Sequence, residues 1–152
     1  MNYKLSWGVK KFNELSPFEL YAILQLRNEV FVVEQNCVYL DLDNKDQLSY
    51  HLMAWQENKL VAYTRLIPPG ISYPFTSIGR VVTSPSVRKL GIGKELMSRS
   101  ILECYQLFGK SEIKIGAQLY LLNFYKSLGF NSIGEVYLED EIEHVEMIKF
   151  VD

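Results

Sequence analysis

The sequence holds only two cysteines and two histidines among its 152 residues, and no apolar run approaches the roughly 20 residues that cross a bilayer. Cys37 and Cys104 stand far apart, without the paired spacing of a metal site or a disulfide framework, so reduced structural thiols and no bound metal are expected. Excess charge is scarce as well. A net charge of −2 and a pI near 5.7 offer no basic face to a phosphate backbone, which speaks against nucleic acid as a partner. The opening Met1-Asn2-Tyr3-Lys4 lacks the apolar core of a signal peptide, so a cytoplasmic setting away from membranes is expected. What the chain has in quantity is apolar surface. Its 48% hydrophobic against 22% charged residues suits a single packed domain over residues 1–152.

Apolar spacing predicts alternating strands and helices with no linker or internal repeat. Alternation from Tyr3 to Val9 predicts a first strand. Ser16-Pro17-Phe18-Glu19 predicts a helix start, with Ser16 as cap, Pro17 in the first helical position and Glu19 closing a capping box. Leu20, Ile23, Leu24, Leu26 and Val30 follow at helical spacing. Residues 34–49 are polar and acidic, which predicts a loop or a short second helix. Apolar runs at 52–55 and 60–66 flank Glu57-Asn58-Lys59 and predict a hairpin. A strand over 77–83 stops before Pro85. A long helix then runs to Phe108, with Leu96, Met97, Ile101, Cys104, Tyr105 and Phe108 on one side and Gly109 as its stop. A strand at 112–116, a helix at 119–128 ended by Gly129, and strands at 133–138 and 145–150 complete the chain. This order predicts an α+β (α/β) fold, helices packed on a mixed, mainly antiparallel central sheet.

Between the 77–83 strand and the long helix lies Arg88-Lys89-Leu90-Gly91-Ile92-Gly93-Lys94. Two glycines let the backbone come close to a ligand, and the free N–H groups of a helix start attract an anion. The spacing matches neither the P-loop nor the three-glycine dinucleotide fingerprint, which disfavours nucleotide hydrolysis and ordinary NAD binding. Arg88-x-x-Gly91-x-Gly93 resembles the Gln/Arg-x-x-Gly-x-Gly/Ala loop of the GCN5-related N-acetyltransferases (GNAT), and Tyr125-x-x-x-Gly129-Phe130 resembles their later Tyr-x-x-x-Gly-Phe element. The N-terminal half is similar to the ElaA-like subgroup, through Leu26-Arg27-Asn28-Glu29-Val30-Phe31-Val32-Val33-Glu34-Gln35 and Tyr39-Leu40-Asp41-Leu42-Asp43. Gly116-Ala117-Gln118 and the stretch from Val136-Tyr137 to His144 agree with it, although Gln118 replaces the Asn that many members of the superfamily carry.

The resemblance implies a GNAT fold and acetyl-CoA as co-substrate, with its pyrophosphate on Arg88, Lys89, Leu90, Gly91, Ile92, Gly93 and Lys94. It further implies that the pantetheine arm pairs with Val81, Val82 and Thr83, and that a backbone N–H near Val82 meets the thioester oxyanion. The reaction implied is direct acetyl transfer to a primary amine in a ternary complex, with Tyr125 as the acid for the departing thiolate. A base must take the amine's proton. Glu34, half-shielded by Phe31 and Val33 and so expected to have a raised pKa, and His51, at the start of a strand, are the candidates beside an ordered water. Asp41, Asp43 and Asp46 either attract a cationic acceptor or are merely solvated. Arg80, a charge inside an apolar strand, either pairs with an acid from 34–46 or binds a substrate carboxylate. His144 and Glu146 are weaker polar candidates.

Two other readings stand beside this one. Arg27-x-x-Val30-Phe31, Asp41-x-Asp43-x-x-Asp46 and Arg65 together resemble the N-terminal pattern of acyl-homoserine-lactone synthases, which share the fold and use S-adenosylmethionine as the amine. An acetyl-CoA-binding module without catalysis would keep the glycine loop and need neither Tyr125 nor a base. The acceptor, a small molecule or a peptide amine, is not encoded by donor site or fold. Tyr73, Phe75, Tyr120 and Tyr137 would suit the face of a homodimer or, equally, ordinary core packing.

Overall fold

The computed structural model describes residues 4–151. Tyr3, where the first strand is expected to begin, lies outside them. Strand β1 (Ser6–Lys11) leads into helix α1 (Pro17–Arg27), then the hairpin β2 (Tyr50–Gln56) and β3 (Lys59–Ile67), and strand β4 (Ser77–Thr83). Helix α2 (Ile92–Phe108), strand β5 (Ile113–Gln118), the short helix α3 (Leu122–Ser127), and strands β6 (Asn131–Glu139) and β7 (Ile142–Lys149) follow.

Helix α1 begins as its sequence demands. The Glu19 N–H donates to Ser16 Oγ at 3.1 Å, and the Ser16 N–H donates back to the Glu19 carboxylate at 2.8 Å, so two otherwise orphaned donors are satisfied. Past Arg27 the helix does not stop. It widens over Asn28–Glu34 into turns closed five residues apart, with the Gln35 N–H reaching Val30 O at 3.1 Å and the Cys37 N–H reaching Val32 O at 3.0 Å. This single continuation carries Glu34 and Gln35 to the rim of a cleft. The rest of 34–49 is loop, apart from one short turn at Asp46–Leu48.

Strand β3 is buried from Leu60 through Ile67, because helices cover both faces of its sheet. Ile23 and Leu26 of α1 and Val30 of its widened continuation pack on Met53 and Tyr63, whereas Leu96, Met97, Ile101 and Cys104 of α2 pack on Leu52, Ala54, Ala62 and Leu66. The alternation Leu52, Met53, Ala54 sends successive side chains to opposite faces, as a strand must. Gly109, at φ 91, ends α2 in a conformation that a side chain would resist. The buried thiols of Cys37 and Cys104 are free, and burial pushes the Cys104 thiol up to about 12.

The strands form two antiparallel sheets, β1-β2-β3-β4 and β5-β7-β6. They meet at one parallel bridge, Thr76 with Ile113, where the Lys114 N–H donates to Thr76 O at 2.9 Å. Beyond that bridge β4 and β5 part. Between Tyr63↔Val82 and Arg65↔Gly79 the register of β3 on β4 slips, so Arg80 and Val81 together oppose Thr64. A bulge of this kind bends its strand, and Arg80 takes a left-handed φ of 51 that only good anchoring sustains. The expected mixed, mainly antiparallel sheet is therefore present, parted along β4 and β5.

Candidate active site

The parted strands open a cleft of about 900 Å³. One wall is the free edge of β4, from Gly79 to Thr83, whose pairing groups on this side meet no strand among the described residues. Val81, Val82 and Thr83 all line it, beside Arg80. The loop Arg88 to Lys94 closes one end. Its backbone turns left-handed at Lys89 (φ 66) and Gly91 (φ 78), and Gly91 caps α2 without a side chain to satisfy the first N–H groups. Lys89, Leu90, Gly91 and Lys94 are exposed, while Ile92 anchors the loop in the core. Free helix N–H groups, a Gly93 facing the cleft and an unpaired strand edge suit a pyrophosphate followed by an amide-bearing arm.

Arg88 is differently engaged from the sequence expectation of a free phosphate ligand. Its guanidinium grips Glu34 through two bonds of 2.7 and 2.6 Å and also donates to Thr83 O at 3.3 Å. The Arg88 hydrogen bonds hold the Glu34 carboxyl below its ordinary range. That direction is opposite to the raised value a base at Glu34 calls for, because the carboxylate is half-exposed and paired rather than shielded by Phe31 and Val33.

His51 is placed still further from the requirement. It is 1% exposed and lies outside the cleft lining. Nε2 donates to Asp46 O at 2.9 Å, and Nδ1 stands 2.7 Å from the Tyr63 hydroxyl, the natural donor to it. With both nitrogens occupied, and with burial pushing its pKa down, the ring is a neutral strut between β2 and β3.

Tyr125, in contrast, reaches the cleft from α3. The ring packs edge-on against Phe124 and Phe130, with centroids 5.2 and 6.0 Å away. Burial pushes the phenol's pKa up, so the hydroxyl is protonated at neutral pH and can give a proton to a leaving thiolate. Gln118, at the end of β5, exchanges amide hydrogen bonds of 3.3 Å with Gln35 across the cleft. The longer amide is thus tied to the widened end of α1.

Asp41, Asp43 and Asp46 are neither solvated nor free to attract an amine. They alternate with Arg27, Arg65 and Arg80 in a closed ring, each acid contacting two arginines and each arginine two acids. Arg27, fully buried, holds Asp41 at 2.9 Å and Asp46 at 2.8 Å. Arg65 grips Asp43 through two bonds of 2.7 and 2.8 Å and reaches Asp46 at 2.9 Å. Arg80 closes the circuit, with Nε 2.7 Å from Asp41 Oδ1 and one amino group 3.3 Å from Asp43. The Arg80 Nε contact is an ion pair without hydrogen-bond alignment. Tyr39 adds a 2.7 Å hydrogen bond to Asp41. Burial alone would raise the Asp43 and Asp46 carboxyls, but the arginine hydrogen bonds outweigh it and hold both low. Of the two sequence options for Arg80, the structure shows the pairing with acids of 34–46. The ring also anchors Arg80 in its left-handed conformation, and thereby the bulge.

Sequence reasoning gave Arg27 and Arg65 no role as ring members and left His144 a weak candidate. The available signal was an arginine within each of two apolar patterns, Leu26 to Val30 and Leu60 to Leu66.

An acetyltransferase (GNAT) domain model matches residues 20–151. An acyl-CoA N-acyltransferase of Pseudomonas aeruginosa superposes with a TM-score of 0.92 at 42% identity, over 96% of this chain and 99% of that one. The crystal structure of Escherichia coli ElaA gives 0.90 at 39% identity, over 96% and 99%. A UPF0039 protein of Schizosaccharomyces pombe is 44% identical over 145 residues, 94% of this chain and 95% of that protein. On its motifs, its parted sheet and these likenesses, the chain belongs to the GNAT acetyltransferase family, in its ElaA-like branch.

Proposed function

We propose that the protein moves an acetyl group from acetyl-CoA to a primary amine by direct transfer within a ternary complex. The observation that carries this is the parted β4–β5 cleft, which has an anion-binding helix start at one end and a protonated Tyr125 in its wall. In this reading the Arg88–Lys94 backbone takes the pyrophosphate, and the free edge at Val81, Val82 and Thr83 pairs with the pantetheine amides. A backbone N–H near Val82 meets the oxyanion as the carbonyl becomes tetrahedral, the step at which such donors contribute most. Tyr125 protonates the departing sulfur. Arg88, already bound to Glu34, shapes the loop and keeps Glu34 out of proton abstraction. The ring of Asp41, Asp43, Asp46 and Arg80 holds the acceptor end in shape rather than binding the amine.

The test is release of free CoA thiol from acetyl-CoA across amine classes (polyamines, amino sugars, amino acids and lysine peptides), with the amide product weighed by mass spectrometry. Amine-dependent thiol release, with a product heavier than the amine by the mass that one acetyl group adds, is expected. Tight acetyl-CoA binding with no transfer to any amine supports the non-catalytic module instead, and a lactone product supports the homoserine-lactone reading.

A further inference from the structure

Resting on that reading, the structure assigns the proton-accepting role to His144 Nε2, on the polar face of β5-β7-β6 that forms the second wall of the cleft. With Glu34 paired and His51 sealed, the cleft still needs a group that takes the amine's proton. His144 is the other histidine of the chain, and it lines the cleft.

The side-chain period of the second sheet explains how it gets there. Ile113, Ile115 and Ala117 of β5, with Val145 and Met147 of β7, face the core. The alternate positions, Gln118 opposite His144 and Gly116 opposite Glu146, therefore face the other way. His144 in turn pairs with Tyr137 of β6. Its ring stacks on the Tyr137 ring at 5.8 Å and 29°. Nδ1 lies 2.7 Å from Ile142 O. A carbonyl only accepts, so Nδ1 carries a hydrogen, and in the neutral ring Nε2 is then the nitrogen that holds the lone pair. Glu139 Oε2 stands 3.4 Å from Nε2, placed to hold an imidazolium once the proton has arrived. The Ile142 carbonyl on Nδ1 is the orienting contact that a histidine base uses, and the cleft lining is where its other nitrogen can meet an amine.

The other charged and titratable groups near this face do not compete for the role. Lys114 and Glu146 are ion-paired at 3.1 Å, and the Cys37 thiol donates to Asp140 O at 3.5 Å. Tyr73 and Tyr137 have pKa values pushed up by burial, to about 12 for Tyr73, so they stay protonated. Their hydroxyls converge over Gly116, where a Cβ would lie 2.9 Å from Tyr137 and 3.3 Å from Tyr73. Glycine thus leaves room for two phenols beside His144, and these suit an amine as hydrogen-bond partners.

In the transfer, the amine nitrogen bonds to the thioester carbon and the C–S bond breaks with its electron pair on sulfur. A protonated amine sheds two protons in becoming an amide. One leaves through His144 Nε2 to solvent, and the other ends on the CoA sulfur through Tyr125. Glu139 is a positioning residue.

The test is the pH profile of kcat/KM for the best amine in the wild-type protein, His144→Gln and Glu139→Gln, with acetyl-CoA affinity measured beside it. His144→Gln is expected to lower kcat about 100-fold or more near neutral pH, the usual worth of a general base. It should also lose the limb along which activity rises with pH, keep acetyl-CoA affinity and regain activity with added imidazole. Glu139→Gln, at a site whose side chain is 62% exposed, should lower kcat several-fold with the KM for acetyl-CoA unchanged. A retained limb in His144→Gln, or an unchanged kcat in Glu139→Gln, overturns the assignment. Should His144→Gln not fold, diethylpyrocarbonate on the wild-type protein decides. Loss of activity in step with carbethoxylation of His144 supports the role, and no modification there, or modification without loss, overturns it. A wild-type protein that transfers acetyl to no amine defeats the parent reading instead, so the two failures are distinguishable.

Discussion

The Arg27–Asp41–Arg80–Asp43–Arg65–Asp46 ring and the His144 face border the same cleft, yet they treat polar groups in opposite ways. In the ring every charge is answered by two of the other sign, and the arginines of β3 and α1 are buried. On the β5-β7-β6 face, His144 Nε2 meets only a carboxylate at 3.4 Å, and no hydrogen bond within the described residues engages the Tyr73 or Tyr137 hydroxyl. Saturated charges cannot exchange protons or bind a substrate without breaking their own pairs, so the ring is suited to shape. Unsaturated ones are suited to chemistry. The two histidines repeat the contrast, since His51 has both nitrogens hydrogen-bonded, to Tyr63 and to Asp46 O, whereas His144 has one.

That contrast breaks most severely at Arg27. Arg27→Ala leaves Asp41 and Asp46 short of a buried partner and is expected to cost about 3–5 kcal/mol, a large share of a typical 5–15 kcal/mol of folding stability. Urea denaturation checks this, and a midpoint unchanged from wild type would mean that the ring does not carry the fold.

A smaller effect, on rate rather than stability, is expected at Tyr125. Tyr125→Phe should lower turnover by about 100-fold, the lower end of the range for proton donors, with acetyl-CoA affinity nearly intact. Turnover equal to wild type removes Tyr125 from the mechanism.

Acid sharpens the comparison further. The folded pKa of His51 is depressed by burial, so the unfolded chain gains a proton below about 6.5 that the folded one refuses, and stability begins to fall there. Asp43 and Asp46 are also depressed. Their contribution is full above an unfolded value of about 4 and is lost as pH falls below it. Thermal melting against pH should show both declines. Replacing His51 with Gln should remove the first and leave the second, and a single decline in the wild type would contradict this division.

Much of the frame was legible in the residues. Ser16 and Glu19 announce the start of α1, Gly91 and Gly109 bracket α2, and the 77–83 strand lies where its apolar run places it. Shorter elements drifted. The predicted 119–128 helix is a tight turn at Leu119–Leu121 and then Leu122–Ser127, because one-turn differences leave almost no trace in apolar spacing. The site was half legible. Gly93 and Tyr125 sit in local motifs and line the cleft, and Gly91 caps α2 beside it. Asp41, Asp43 and Asp46 read either as a lure for a cationic acceptor or as a solvated acidic run, because their partners Arg27, Arg65 and Arg80 come from other elements, up to 39 residues away in the chain. Glu34 misled for a related reason, since Arg88 lies 54 positions on. His144 stood only as a weaker polar candidate, because what sets it apart is the register that places it opposite Gln118 and Tyr137.

The central claim, direct transfer between two substrates held in one cleft, is tested most directly by initial rates over a matrix of acetyl-CoA and amine concentrations. Reciprocal plots that intersect, with no CoA released before amine is added, are predicted. Parallel lines with a burst of CoA in the absence of amine would mean an acetylated enzyme intermediate and contradict the account.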